Sequence, residues 1–184
     1  RQIMIDPVPE GEMIWKEATC ENYITIDEVK RRQGTIIVLS DPAPRALGSQ
    51  SGDGEKTRAD GSKDEWAIAV VRVQVNGERQ EFVLLDGEAS REWTRTDGCN
   101  RVAHYMRKWR TPFAEHEAFG GLSFDYEEFQ RQACRQGGLP YQRVKFKNQR
   151  EGKNERFEAL ASLAELDLFL ICDTVPEEFL TGFL

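Results

Sequence analysis

The sequence predicts an α/β domain built on a mixed sheet, an antiparallel three-strand meander continued by parallel strands, with helices on its faces. Three observations predict it. Thr35-Ile36-Ile37-Val38-Leu39-Ser40 is a β-branched apolar run, the pattern of a central strand buried on both faces. Asn76-Gly77 separates two long strand patterns and is a strong hairpin signal. Beyond the hairpin, helical and strand patterns alternate, as they must where each parallel return needs a crossover helix. A chain of 184 residues with 39% hydrophobic and 31% charged residues has the balance of one soluble globular domain. No stretch approaches the roughly 18 apolar residues of a membrane span, and the start, Arg1-Gln2-Ile3-Met4, is no signal peptide, so we expect a fragment of something longer. Cys20, Cys99, Cys134 and Cys172 form no C-x-x-C pair, which indicates neither a zinc site nor a disulfide framework and suits a reducing cytoplasm.

Residues 1–34 read as an N-terminal lead-in or linker, with an alternating Tyr23-Ile24-Thr25-Ile26 patch as a small edge element and a short helical run from Asp27 to Gln33. The domain proper is expected over 35–184. Its first strand stops at Asp41-Pro42, and Ala43 to Lys63, rich in Gly and Ser and nearly without apolar content, reads as a surface loop. Glu65 to Val75 is a long strand with Gln80 to Leu85 as its hairpin partner, and Asp86-Gly87 reads as a turn. Val102, Tyr105, Met106 and Trp109 then fall at helical spacing in Thr96 to Trp109, with Asp97 as a candidate N-cap and Pro112 closing the segment. An extended piece follows from Pro112 through Glu115. Asp125 to Gln136 is a second helix stopped by Gly137-Gly138, Tyr141 to Phe146 a strand, Gly152 to Leu166 a third helix and Leu168 to Cys172 a last strand. The order β-β-β-α-β-α-β-α-β is that of an RNase H-like domain with extra elements.

In such a sheet the first strand and the strand after the first helix are neighbours, so Asp41 and Glu115 at their ends converge. Two carboxylates held close repel unless a cation sits between them, and their hard oxygens suit Mg²⁺ or Mn²⁺. That arrangement supports phosphoryl transfer in which two ions about 4 Å apart activate water and hold the leaving oxygen. The plainer reading makes Asp41 a turn residue before Pro42 and Glu115 a solvated acid. His116 should point to the opposite side of its strand from Glu115, and His104 reads as a structural or surface histidine. The net charge of −7 hides an asymmetry. Arg131, Arg135, Arg143, Lys145, Lys147, Arg150, Lys153 and Arg156 crowd one segment, whereas no Lys or Arg follows Glu158. Such a stripe reads as a track for a polyanion or as a solvated face. Lys145 and Lys147 share one face of a strand, and Lys153 and Arg156 open a helix, positions suited to holding a phosphate backbone without reading sequence. No nucleophile elbow and no Walker motif occurs.

Taken together, the strand ending in Asp41-Pro42-Ala43, a loop, Lys63-Asp64-x-x-Ala67-Ile68, a hairpin, a helix, Glu115-x-x-x-x-Gly120 and Gly152-Lys153-Asn154-Glu155-Arg156-Phe157 resemble a known family, the C-terminal nuclease domain of tailed-bacteriophage terminase large subunits. The resemblance spans roughly residues 35–184. It implies a metal-dependent endonuclease that cuts concatemeric viral double-stranded DNA during packaging, in the cytoplasm of an infected bacterial host. Its implied partners are an N-terminal packaging ATPase, the small terminase subunit and the portal. In the family three acids hold the metal. Asp41 matches the first, and Glu115 matches the second better than Glu117 does, because a glycine falls five residues on. Asp64 would assist as a support or extra ligand, and Lys145, Lys147, Arg150, Lys153 and Arg156 would hold DNA. The third acid is expected on a helix after the last strand, beyond Leu184, with only Asp173, Glu177 and Glu178 nearby. Two other readings stand beside this one: a non-catalytic nucleic-acid or partner-docking domain on the same fold, and another RNase H-like phosphoryl transferase such as a transposase or resolvase.

Overall fold

A hairpin organises the sheet. In the computed structural model, which describes residues 22–42, 65–117, 122–144 and 160–183, β3 (Trp66–Asn76) and β4 (Arg79–Ser90) are joined by a two-residue turn. Gly77 takes φ +64° there, the left-handed conformation that favours glycine. The other strands are β1 (Tyr23–Ile24), β2 (Gly34–Asp41), β5 (Phe113–His116), β6 (Gln142–Arg143) and β7 (Phe169–Cys172). Between them run α1 (Ile26–Arg31), α2 (Arg95–Lys108), α3 (Leu122–Gln136) and α4 (160–165), and α5 (Glu177–Phe183) follows β7. The strands form one seven-stranded sheet in the order β1-β7-β4-β3-β2-β5-β6, in which β1–β7, β4–β7, β2–β5 and β5–β6 pair in parallel. This is the mixed, RNase H-like sheet expected.

Several local expectations are corrected. Asp86-Gly87 is no turn: β4 runs through it, with Asp86 buried. The N-cap of α2 is Thr94, not Asp97. Thr94 accepts from the Asp97 N–H while the Asp97 carboxylate accepts from the Thr94 N–H, a reciprocal capping box. Within Tyr141 to Phe146 only Gln142–Arg143 is strand among the described residues. The helix expected after the last strand is formed as α5, with Glu177 and Glu178 in its first turn. The loop Ala43 to Lys63 lies outside the described residues.

Two compact units divide the chain, and β3 and β4 pass through both. In the first (described residues 22–35, 71–86 and 160–183), the edge strand β1 pairs with β7, Tyr23 opposite Ile171 and Ile24 opposite Cys172. The Thr25 capping box starts α1, and the Asp173 carboxylate accepts from the Ile26 N–H at 2.9 Å. Val29, Val83, Leu84, Leu85 and Ile171 form its apolar centre. A charge is buried there as well: Glu81 accepts from Gln74 at 2.9 Å and Asn76 at 2.8 Å, and pairs with Arg32.

In the second unit (described residues 36–42, 65–70, 87–117 and 122–144), α2 and α3 pack together beside β5. Its core centres on Trp66, Ile68, Val102, Met106 and Tyr126. Trp66 is fully enclosed, and its indole N–H donates to the Ser40 hydroxyl at 2.6 Å. Its ring lies against Gly98 of α2, where any Cβ would collide with the indole. A helical glycine is therefore required by packing at this position.

Candidate active site

The parallel register of β2 and β5 builds the site. Val38 lies opposite Ala114, Leu39 opposite Glu115 and Ser40 opposite His116, and the Glu117 N–H continues the ladder by donating to the Ser40 carbonyl at 2.6 Å. Register partners share a face, and faces alternate along a strand. Val38, Ser40, Ala114 and His116 are all buried and form the core face. Leu39, Asp41, Glu115 and Glu117 alternate with them. One step past the last register pair, Asp41 and Glu117 stand level at the ends of adjacent strands, and both are exposed. Glu115 stands one pleat back.

Glu115 is engaged rather than open. Its carboxylate accepts three hydrogen bonds from Arg143 on the neighbouring strand, from Nε at 3.1 and 2.9 Å and from Nη2 at 2.8 Å. Nη1 of Arg143 donates to Glu127 of α3 at 3.1 Å, and Glu127 also pairs with Arg131 one helical turn on. The side chains of Arg143 and Glu115 are only 23% and 12% exposed. Hydrogen bonding to Glu115 raises the guanidinium pKa above its already high value. The hydrogen bond from Arg131, with help from Arg143, holds the Glu127 carboxyl below the usual range.

On the opposite face His116 is part of the core, as alternation predicts. Its ring stacks on Tyr126 and meets Trp66 edge-on. Nε2 lies 2.9 Å from the Gln130 side-chain oxygen, while the Gln130 amide N–H₂ donates to the Cys99 carbonyl at 3.1 Å. Because that amide is committed as donor, the imidazole carries its proton on Nε2, and Nδ1 is buried with a bare lone pair. Burial pushes its pKa down to about 4, so the ring is neutral at physiological pH. His104 is exposed on α2, its ring against Tyr105.

The donor chemistry at the strand ends fits a hard divalent cation: carboxylate oxygens at the exposed ends of adjacent strands, with no soft ligand among them. Among the described residues no cluster of three or more His, Cys, Asp or Glu could hold an ion. Of the expected site residues, Asp41 and Glu115 are thus brought onto neighbouring strands, whereas Asp64, Lys145, Lys147, Arg150, Lys153 and Arg156 lie outside the described residues. In the sequence, glycine spacing alone favours Glu115 over Glu117. Its level position beside Asp41 follows only from the strand register. Arg143 was legible as a basic residue but not as the partner of Glu115.

No family model matches the sequence, and no curated protein matches it. Among solved structures, the chain is similar in fold to the P22 large terminase nuclease domain, with a TM-score of 0.53 and 12% identity. The match covers 82% of this chain and 66% of that one, so the chain spans just under two thirds of the length of the P22 domain. A mutant nuclease domain of the large terminase subunit of bacterial virus Sf6, with manganese, matches at a TM-score of 0.49 and 14% identity over 91% of this chain and 77% of that one. At such identities the P22 likeness establishes the fold. Among the described residues no helix is long and apolar enough to cross a membrane.

Proposed function

We propose that this chain is a terminase-type nuclease domain, a metal-dependent endonuclease acting on viral double-stranded DNA during genome packaging. The observation that carries the reading is the pair of exposed carboxylates at the ends of adjacent parallel strands, Asp41 on β2 and Glu117 beside it, on a fold shared with the P22 nuclease domain. Asp41 and Glu115 remain the proposed metal ligands, joined by Glu117, and Asp64 assists. A divalent cation bound there supplies Lewis-acid activation of water and neutralises charge on the phosphodiester. The chain's own residues do the rest. Asp41 and the β5 acids orient the ion at the strand ends, and Lys145, Lys147, Arg150, Lys153 and Arg156 hold the DNA backbone by phosphate contacts that carry no base reading. The partners in this reading are a packaging ATPase, a small terminase subunit and a portal, and its setting is the cytoplasm of an infected bacterium.

One observation favours the non-catalytic alternative. Glu115 is already paired with Arg143, as a structural acid would be. Plasmid cleavage in Mn²⁺, Mg²⁺ or EDTA separates the two readings. The nuclease reading expects metal-dependent nicking that Asp41→Ala abolishes. If the protein binds duplex DNA and neither metal yields any cut, the docking-domain reading takes its place.

A further inference from the structure

Arg143 is placed to do more than neutralise an acid. Its fork grips both oxygens of Glu115, and the same planar donor geometry suits a phosphate equally well. Glu127, its other partner, has a second cation in Arg131 and is not left unpaired if Arg143 departs. Glu115 has no such reserve among the described residues, where the three side-chain hydrogen bonds it accepts come from Arg143. The pair sits at the sheet margin, with Arg143 on a two-residue strand held to the sheet by β5.

Breaking a largely buried ion pair is costly when one partner is left alone, but not when both find new partners together. A metal ion drawn to Glu115 without DNA would leave the guanidinium only Glu127, a carboxylate it already shares with Arg131. A phosphate drawn to Arg143 without metal would strand the carboxylate. With both present, each ion is satisfied.

Resting on the nuclease reading above, we propose that Arg143 and Glu115 form an exchange pair. Arg143 moves to a backbone phosphate of the bound duplex, and Glu115 is thereby released to the metal beside Asp41. Metal and DNA then bind cooperatively, and by linkage each raises the affinity of the other by the same factor, typically between about 5- and 150-fold. The chain without DNA holds metal weakly through Asp41 and Glu117. Arg143 is in this sense a positioning residue whose second partner is the substrate.

The test is Mn²⁺ affinity, measured by electron paramagnetic resonance on the full chain with and without a saturating short duplex whose integrity is checked on a gel. The expected result is a rise of about 5-fold or more when duplex is added to the unsubstituted chain. Arg143→Met should bind Mn²⁺ tightly without DNA and respond little to it. If Arg143→Met matches the unsubstituted chain in both conditions, exchange is overturned while the nuclease reading stands. If Asp41→Ala also leaves every affinity unchanged, the strand ends hold no metal and the nuclease reading falls as well. Should Arg143→Met fold poorly, the Arg143 Nε–H resonance of the unsubstituted chain serves instead. It should shift when duplex and Mg²⁺ are added together, and an unmoved resonance overturns the proposal.

Discussion

Glu81 is a carboxylate with a side chain only 7% exposed that nevertheless stays charged. Burial alone would raise its pKa, but the hydrogen bonds from Gln74 and Asn76 and the Arg32 guanidinium more than offset this, and the net shift is downward. A carboxyl depressed in the fold contributes stability above its unfolded value, roughly 4.3, and loses it as pH falls through the lower folded value. Glu81→Gln should therefore destabilise by about 2 kcal/mol at neutral pH. The deficit should shrink at acid pH below the depressed folded value, where the native carboxyl too is protonated. Urea unfolding at the two pH values measures both. None of this cluster was legible beforehand, because a buried Glu looks like any other acid until the strand opposite supplies its Gln and Asn. The chemistry of Asp41, by contrast, was visible from its place at the end of an apolar strand. The pairing of Glu115 was not, since it depends on how far Arg143 travels along a neighbouring strand.

Helix α2 shows what an element demands of its sequence. The sequence sets its cap three residues late because Asp97 has the chemistry of an N-cap, yet in the fold it serves as the third residue of a box whose cap is Thr94. Both residues suit either role, and only the backbone decides. The next residue, Gly98, is unfavourable in a helix by roughly 1 kcal/mol relative to alanine on propensity alone. Its contact with Trp66 reverses the sign. Gly98→Ala should lower stability by about 1–3 kcal/mol despite the better propensity, because the indole must leave its enclosed position and its bond to Ser40. Thermal unfolding followed by tryptophan fluorescence checks this. The strands were easier to foresee. β2, β3 and β7 match their apolar runs closely, since a central strand is written by burial on both faces. β4 was cut short at Asp86-Gly87, where turn chemistry was outvoted by a hairpin partner long enough to carry the strand onward.

At the scale of the whole molecule, the order of elements carried most of the information. A meander followed by alternating helices and strands forces β5 beside β2, so the neighbourhood of the two acid-bearing strands was legible from topology. Which acid of β5 stands level with Asp41 was not, because register is a matter of single residues. The same architecture ranks the strands by protection. Hydrogen exchange should be slowest in β3 and β4, which hold the enclosed Ile68, Val70, Val83, Leu84 and Leu85, and fastest in β1 and β6. Mass spectrometry of deuterium uptake would show it, and equal protection across the sheet would count against the ranking. The two outer strands have one more consequence. Each is two residues long, so among the described residues the sheet ends on either side with little unpaired backbone. A stranger's strand needs a row of open N–H and C=O groups to zip onto, and brevity denies it one. Where many copies of the chain are made at once, these two described edges give them little to join along.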